Sequence, residues 1–157
     1  MKHHTIDKLQ ARGVTITDLA PLVFELQKPY LPNLTIKECE ESLLFVLDKR
    51  DVQHSILTGI ALDELAEKGL LEEPLLSILR KDDGLYGIDE IIALGMSTLY
   101  GTIGSTNFGF LDKTKPGIIK KLDTNPDRVN TFLDDLVCGL VAAASSRLAH
   151  HYRDQEK

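Results

Sequence analysis

The segment that most restricts the fold lies near the C-terminus and reads NTFLDDLVCGLVAAASSRLAHH, residues 130 to 151. Between positions 132 and 144 the only charged side chains are Asp134 and Asp135. A helix that is apolar on every side is stable in water only when other helices surround it. The sequence therefore predicts an all-α bundle with this hydrophobic helix, at about residues 130 to 150, as its central member.

The rest of the chain is divided into further helices by capping residues, glycines and prolines. Thr35 followed by Glu38 forms a capping box, and Gly69 is a typical helix stop. Small residues in the central helix, Gly139 and positions 142 to 144, are expected to let its neighbours approach closely. The predicted helices span residues 17 to 27, 35 to about 49, 51 to 69, 72 to 79, 89 to 100 and about 127 to 153.

Composition and charge narrow the class of protein. With 157 residues, 43% of them hydrophobic, the chain can bury the core of one ordinary domain without disulfides, and we expect a single domain over its whole length. The 18 basic and 24 acidic residues give a net charge of −6. No basic cluster is longer than Lys120-Lys121, which argues against a nucleic-acid partner.

The distribution of cysteines and apolar residues points to a cytoplasmic protein. Cys39 and Cys138 have no CxxC spacing and no signal peptide precedes them, which predicts buried thiols in a reducing compartment. The longest apolar run, residues 136 to 144, is about half the length of a membrane-spanning helix. We therefore expect no transmembrane segment.

Asp134 and Asp135 are the first candidates for a functional site. An unpaired carboxylate taken out of water costs at least several kcal/mol. One explanation is that both face an exposed first turn, where carboxylates favour the helix N-terminus. The other is a divalent cation, with one Asp as a direct ligand and its neighbour, about 100° around the helix, holding a water or a second ligand. Hard oxygen ligands would select Mg²⁺, Mn²⁺ or Ca²⁺ over zinc.

Two further acidic pairs support the cation hypothesis. Asp82-Asp83 lies in a loop and Asp89-Glu90 at a predicted helix start. Each alone is more typical of a solvated cap than of a ligand set, but three pairs in a short chain favour a shared site. Asp63, by contrast, is expected on an ordinary wet helix face.

A glycine-rich stretch, YGTIGSTNFGFLDK at residues 100 to 113, is the second candidate. Glycines let backbone N–H groups approach a phosphate closely, and hydroxyl and amide side chains add donors. No GK[ST] follows, so this is not a Walker loop, and a glycine-rich helix crossing or a plain connecting loop remains an alternative. The residues predicted to hold a phosphate are Gly101, Thr102, Gly104, Ser105, Thr106, Asn107 and Lys113.

Four motifs together resemble a known family. They are YGTIGSTNFGFLDKTKPG (100 to 117), NTFLDDLVCGLVAAA (130 to 144), TGIALDELAEKGLLEEPL (58 to 75) and DDGLYGIDE (82 to 90). From about residue 50 onward the chain resembles the YutG-type branch of the phosphatidylglycerophosphatase A family. The resemblance implies a YutG-like helical bundle with one central helix. It also implies a Mg²⁺-dependent lipid phosphatase that removes the terminal phosphate of phosphatidylglycerophosphate.

The family's site residues can be carried over position by position. Its Gly-Thr-hydrophobic-Gly-Ser core matches residues 101 to 105, and its acidic pair, usually Asp-Glu, matches Asp134 and Asp135. Asp in place of Glu is shorter by one methylene, a change that can move a ligand from the inner to the outer shell. The membrane-bound members have hydrophobic spans that this chain lacks, so the resemblance leaves a soluble phosphate ester as an alternative substrate.

The function expected from these features is a Mg²⁺-dependent phosphomonoesterase of phospholipid metabolism, with Mn²⁺ as an alternative ion. Asp134, Asp135, Glu90 and Asp89 are the expected metal ligands. Thr102 and Ser105 join the two aspartates as the expected catalytic set, with water or Asp134 as nucleophile. The alternatives are a helical Mg²⁺-dependent nucleotide pyrophosphohydrolase and a non-enzymatic cation-binding module. Contact with the inner membrane face would be peripheral, and a homodimer is compatible with the sequence.

Overall fold

The all-α prediction is confirmed by the computed structural model, which describes residues 1 to 155. These residues form nine α-helices, one short 3₁₀ turn and no β-strand. The helices are α1 (Lys2–Ala11), α2 (Ile16–Gln27), α3 (Ile36–Val46), α4 (Arg50–Glu67), α5 (Leu75–Lys81), α6 (Ile88–Ser97), α7 (Thr102–Thr114), α8 (Ile118–Asp123) and α9 (Leu133–Gln155), with the 3₁₀ turn at Thr98–Tyr100.

The apolar helix α9 is the centre of the bundle, as its sequence predicted. It packs against α2, α3, α4, α6, α7 and α8, and every residue from 133 to 146 is buried. Cys39 and Cys138 are both buried free thiols, again as expected. Within residues 1 to 155, no helix combines the length and the hydropathy needed to cross a bilayer.

Glycines set the closest helix crossings with α9. A Cβ added at Gly139 would lie 2.7 Å from the carbonyl oxygen of Ala93, so α6 crosses α9 in backbone contact. A Cβ added at Gly59 on α4 would overlap the side chain of Leu136 on α9 and would lie 2.9 Å from Phe132 Cβ, just before α9. The prediction that small residues let neighbours approach α9 is confirmed at Gly139.

Helix capping differs from the prediction at one place. Thr15, not Thr17, caps α2: its hydroxyl accepts the N–H of Asp18 at 3.2 Å, and the Asp18 carboxylate accepts the N–H of Thr15. The reciprocal pair satisfies two backbone donors, which a cap at Thr17 would not do. The capping box of Thr35 and Glu38 on α3 is present as predicted. Three helices were not predicted: α1, α7 and α8.

Candidate functional site

Four segments of the chain meet beside the first turn of α9 and enclose a cavity of about 140 Å³. They are the loop between α5 and α6, the start of α6, the end of α7 with the residue that follows it, and the start of α9. We call this space the acidic cavity, because seven of the ten described residues that line it are acidic and one is basic. The acids are Asp82, Asp83, Asp89, Glu90, Asp112, Asp134 and Asp135, and the base is Lys115. The three acidic pairs found in the sequence therefore lie together.

The position of Asp134 and Asp135 is fixed by a buried carboxylate on α4, which binds the backbone of the two residues that precede them. Asp63 accepts the backbone N–H groups of Phe132 and Leu133 at 3.1 and 3.0 Å, and it is fully buried. Burial raises the pKa of Asp63 to about 8, and the two N–H donors act against that rise. The wet helix face expected for Asp63 is therefore wrong, because its polar neighbours in sequence lie on other sides of α4.

The segment before α9 is held by a second buried group. Arg12, the residue that follows α1, donates to the carbonyl oxygen of Val129 at 2.6 Å and to Asn130 Oδ1 at 2.8 Å, and pairs with Glu67 at 2.7 Å. Glu67 in turn accepts the N–H of Val129 at 2.9 Å. Contacts from Arg12, at the end of α1, and from Glu67 of α4 thus fix the direction in which the chain enters α9 and presents Asp134 to the acidic cavity.

Lys115 supplies the cation of the acidic cavity. Its Nζ lies 2.8 Å from Asp134 Oδ2 and 2.9 Å from Asp112 Oδ1, and 3.8 Å from carboxylate oxygens of Asp123 and Asp135. Burial would lower the pKa of Lys115, but the hydrogen bonds to Asp134 and Asp112 raise it above its usual value. The ammonium therefore stays charged at physiological pH.

Lys115 was missed by the sequence analysis, which chose the exposed Lys113 as the phosphate-binding lysine. No local spacing marks it, because its partner Asp134 lies 19 residues further along the chain. The nearest signal is the lysine-rich stretch KTKPGIIKK, residues 113 to 121. Only the αL conformation at the end of α7 directs one of these lysines into the acidic cavity.

Backbone strain is concentrated at the acidic cavity. Among residues 1 to 155, only two non-glycine residues have a left-handed φ, Asp82 at 50° and Lys115 at 46°, and both line it. Such conformations cost on the order of 1 kcal/mol or more and cluster at functional sites. Here they turn two oppositely charged side chains toward the same space.

The buried carboxylates are only partly compensated. Burial raises the pKa of Asp134 to about 7, although its bond to Lys115 acts in the opposite direction. The pKa of Asp135 rises to about 9, because it is buried and lies next to Asp134. Burial also raises the pKa of Asp89 and of Glu90. The acidic cavity thus brings together more carboxyl groups than Lys115 alone can keep ionised.

Whether these residues fit a divalent cation can be tested on the side chains themselves. Asp89 Oδ1 is buried and has no hydrogen-bond partner, so one hard oxygen ligand is free. As the side chains stand, however, no three His, Cys, Asp or Glu residues among positions 1 to 155 are grouped to hold a metal ion. The ammonium of Lys115 lies between Asp112 and Asp134. The donors therefore suit Mg²⁺ in kind, and binding would require Lys115 and the carboxylates to rearrange.

The glycine-rich stretch is helical rather than a loop, because residues 102 to 114 form α7. A Cβ at Gly104 would overlap the carbonyl oxygen of Ser97, so this glycine serves a helix crossing, one of the alternatives left open above. The hydroxyls of Ser105 and Thr106 donate to the carbonyl oxygen of Thr102 at 2.8 and 3.3 Å. Gly101 has a φ of 100° and starts the helix.

The start of α7 lies away from the acidic cavity. Ser146 of α9 contacts the Gly104 position and donates to the carbonyl oxygen of Tyr100 at 2.7 Å. Ser146 follows Asp135 by 11 residues, or about 16 Å along the helix. The structure therefore does not bring the predicted phosphate-binding hydroxyls to the carboxylates. Three of the predicted residues instead line a separate cavity of about 520 Å³ between α2, α7 and α9: Thr102, Thr106 and Asn107.

Comparison with known proteins gives consistent matches over nearly the whole chain. The family model "Phosphatidylglycerophosphatase A" matches residues 5 to 150. The chain is 55% identical over 150 residues to the uncharacterized protein YpjQ of Bacillus subtilis, covering 96% of this chain and 85% of that protein. It is 53% identical to the uncharacterized protein YutG of the same organism, covering 95% and 90%.

Two solved structures share the fold closely. The crystal structure of YpjQ from Bacillus subtilis has a TM-score of 0.93 at 53% identity, covering 98% of this chain and 96% of that one. The low temperature requirement C protein from Listeria monocytogenes has a TM-score of 0.94 at 50% identity, covering 98% and 97%. Their helical packing is thus a direct match for the bundle described above.

Proposed function

The chain belongs to the phosphatidylglycerophosphatase A family, as its motifs predicted, and from this premise we propose that it is a Mg²⁺-dependent phosphomonoesterase. The substrate class is a phosphate monoester of the phosphatidylglycerophosphate type. The observation that carries the proposal is the acidic cavity, in which carboxylates from separate helices surround one buried lysine. Such a set can bind both a divalent cation and the phosphate that the cation attracts.

The size of the acidic cavity favours a phosphate group over a nucleotide. Its volume of about 140 Å³ is below the roughly 300 Å³ at which ligand pockets usually begin. A nucleotide pyrophosphohydrolase would need room for a base, a sugar and three phosphates. A terminal phosphate on an otherwise external substrate needs only the space that is present.

The residues that would hold Mg²⁺ are Asp134, Asp135, Asp89 and Glu90. Asp89 supports this assignment through its unpartnered buried oxygen. A bound Mg²⁺ would screen the negative charge of the substrate and lower the pKa of a bound water. Asp63 keeps the two aspartates of α9 in place by fixing the first turn of that helix.

Lys115 is the residue that we assign to the phosphate. It is the only cation among the described residues that line the acidic cavity, and its half-buried ammonium offers three N–H donors. On binding it would exchange a carboxylate partner for a phosphate oxygen, which holds the ester against the acids. We take water as the nucleophile. Attack by the Asp134 carboxylate would instead leave an acyl phosphate on the chain, which hydroxylamine would cleave.

The central experiment is phosphate release from phosphatidylglycerophosphate in mixed micelles and from a panel of soluble phosphomonoesters, with Mg²⁺ or with EDTA. Wild type is compared with Asp134→Asn and with Asp7→Asn, a matched change at an exposed position on α1. We expect release that requires Mg²⁺, persists in Asp7→Asn and is lost in a folded Asp134→Asn. No release from any ester would refute the phosphatase and leave a non-catalytic cation-binding module.

A second experiment separates Lys115 from the neighbouring lysine chosen on sequence grounds. Loss of a hydrogen bond to a charged group costs about 1.5–3 kcal/mol, so Lys115→Met should raise the KM for a soluble phosphomonoester by roughly ten- to a hundredfold. Lys113→Met should leave it unchanged. The shift of the thermal midpoint by Mg²⁺ should survive in both variants, and an equal effect of the two on KM would contradict the assignment.

A further inference from the structure

Exposed apolar side chains are concentrated in one part of the chain. Twelve large hydrophobic residues are exposed among the described residues, and seven of them fall between positions 85 and 110. Isolated exposed hydrophobic residues are ordinary, but a contiguous group marks an interaction surface. The seven are Leu85, Ile88, Ile91, Leu94, Leu99, Ile103 and Phe110.

Apart from Asp89 and Glu90, the same region carries no charge. Residues 91 to 111, IIALGMSTLYGTIGSTNFGFL, contain no acidic or basic side chain, although 27% of the whole chain is charged. A helix that faced only water would normally carry charges on its outer side. Instead α6 exposes Ile88, Ile91 and Leu94, three residues apart, and α7 exposes Ile103 and Phe110, two turns apart. The two helices contact each other. Ile103 also lines the cavity between α2, α7 and α9. We call the exposed apolar side chains of α6, together with Leu85 and Phe110, the α6/α7 face.

The α6/α7 face begins at the rim of the acidic cavity. Leu85 follows the cavity-lining Gly84 directly and is 97% exposed at the tip of its loop. Ile91 follows Glu90, another lining residue, on the outer side of α6. A layer of apolar molecules covering this face would therefore lie next to the opening through which a phosphate enters.

Basic side chains lie at the C-terminal end of α7, close to Phe110. Lys113 is exposed and follows Phe110 by three residues, so the two side chains share one face of the helix. Residues 113 to 121 contain four lysines and no acid. Lys115 points into the acidic cavity, and the other three, Lys113, Lys120 and Lys121, are exposed.

We propose that the α6/α7 face docks the protein on the surface of a phospholipid layer. The proposal rests on the proposed function, and it assigns the access route of a lipid-borne phosphate to named residues. Aliphatic side chains from a helix pair would enter the boundary between headgroups and acyl chains, and the exposed lysines would meet the phosphates there. A second copy fits less well, because a two-fold contact at the Lys113 end would bring like charges together.

The absence of tryptophan from the sequence allows a direct test. Leu85→Trp places a unique fluorophore on the α6/α7 face. Ile36→Trp is the matched control, because Ile36 is 41% exposed on the first turn of α3. That turn lies near Tyr152 of α9, which hydrogen-bonds to Glu38, far from the acidic cavity. Both proteins are titrated with vesicles of phosphatidylcholine and phosphatidylglycerol, in EDTA and without any phosphomonoester.

We expect the emission of Leu85→Trp to move to shorter wavelength as vesicles are added, while that of Ile36→Trp stays constant. Adding Ile91→Asp to Leu85→Trp should weaken vesicle binding about tenfold, the partition energy of one large aliphatic side chain. An emission from Leu85→Trp that does not respond to vesicles at any concentration would overturn the proposal. So would an emission that shifts with protein concentration alone, because a second copy would then cover the face.

An activity arm distinguishes failure of the docking surface from failure of the phosphatase. Leu85→Asp combined with Ile91→Asp should lose turnover of a vesicle-borne phosphate ester about a hundredfold, as two side chains of about tenfold each. Turnover of a soluble phosphomonoester should be retained. Equal loss of turnover on both substrates, with folding intact, would refute docking. If no ester is cleaved at all, the vesicle titration still tests docking, because it measures binding without hydrolysis.

Discussion

Asp63 illustrates at the scale of one residue how a buried carboxylate positions a helix. Its two oxygens accept the N–H groups of Phe132, just before α9, and of Leu133, the first residue of that helix. This role is usually played by a residue of the same segment. Because Asp63 comes from α4, it also fixes the angle and the register between the two helices. The carboxylate is desolvated, and the cost appears as a pKa of about 8 in place of the ordinary 3.8.

This raised pKa predicts a pH-dependent effect of Asp63→Asn. Since the pKa in the folded chain lies above its unfolded value, folded Asp63 holds a proton that the unfolded chain releases between about pH 4 and pH 8. Wild-type stability should therefore fall as pH rises through this window, a loss that the non-titrating Asn cannot show. We expect the variant to be less stable by about 1–3 kcal/mol at pH 5, because its amide can accept only one of the two N–H groups.

Urea unfolding of both proteins from pH 4 to pH 8 measures the effect. The difference in unfolding free energy should shrink as pH rises. A difference that grows with pH would show that the two N–H donors outweigh burial and that the pKa of Asp63 is lowered. The control is the same substitution at an exposed position, Asp7→Asn. It should leave the dependence of the unfolding free energy on pH unchanged.

Residue-level prediction from the sequence succeeded where neighbours in the chain share an environment and failed where they do not. The Asp134-Asp135 pair could be singled out because it interrupts an apolar helix, and both side chains are indeed buried. Asp112 and Lys115 could not, because their environment is created by α6 and α9, distant in sequence. Lys113 and Lys115 look equivalent in the sequence and differ only in which side of the α7 end each one faces.

At the scale of elements, α7 shows what its two glycines do. Gly104 lies against the carbonyl oxygen of Ser97, whereas a Cβ at Gly109 would have nothing within 4 Å. Glycine within a helix costs up to about 1 kcal/mol relative to alanine. At Gly104 the close approach to Ser97 at the end of α6 explains why glycine is needed. At Gly109 no contact within the described chain explains it.

The contrast predicts opposite effects of the same substitution on one helix. Gly104→Ala should destabilise the fold by about 1–3 kcal/mol or more, because the new methyl group overlaps backbone that has no room to shift. Gly109→Ala should stabilise it by up to about 1 kcal/mol through helix propensity alone. Urea midpoints of the two variants decide the matter, and changes of the same sign would contradict the assigned crossing.

Element existence was predictable where the pattern was strong, as in α3, α4, α6 and α9. The glycine-rich stretch was not predicted as a helix because its residues have low helix propensity. Packing against α9 stabilises the helix that forms there. Its direction was beyond the reach of the sequence as well. Because α7 runs antiparallel to α9, the C-terminal end of α7 lies beside Asp134 at the start of α9. Lys115, and not Thr102, therefore lies at the acidic cavity.

At the scale of the whole molecule, charge is distributed very unevenly. The net charge is −6, yet seven acids line one small cavity while residues 91 to 111 carry no charge at all. The self-repulsion of the acidic end works against the compact state, and an uncharged face works against solubility. A bound cation at the acids and a lipid layer at the face would remove both disadvantages, which makes the two proposals parts of one arrangement.

The last prediction concerns the stability that the acidic cavity costs in the absence of metal. Asp135 is buried, and its nearest cation, Lys115, is 3.8 Å away, beyond hydrogen-bond distance. Burial raises the pKa of Asp135 to about 9, so at pH 8 in EDTA the folded chain holds a proton on this carboxyl that the unfolded chain releases, and this lowers the stability of the wild type. Asp135→Asn keeps the shape and does not titrate, so we expect the variant to be more stable by about 1–2 kcal/mol. Under Mg²⁺ the order should reverse, because a ligand at a hundred times its Kd stabilises the wild type by about 2.7 kcal/mol. Thermal midpoints in EDTA, in Mg²⁺ and in NaCl of equal ionic strength separate binding from screening. A variant that is weaker in EDTA and responds fully to Mg²⁺ would remove Asp135 from the proposed metal site.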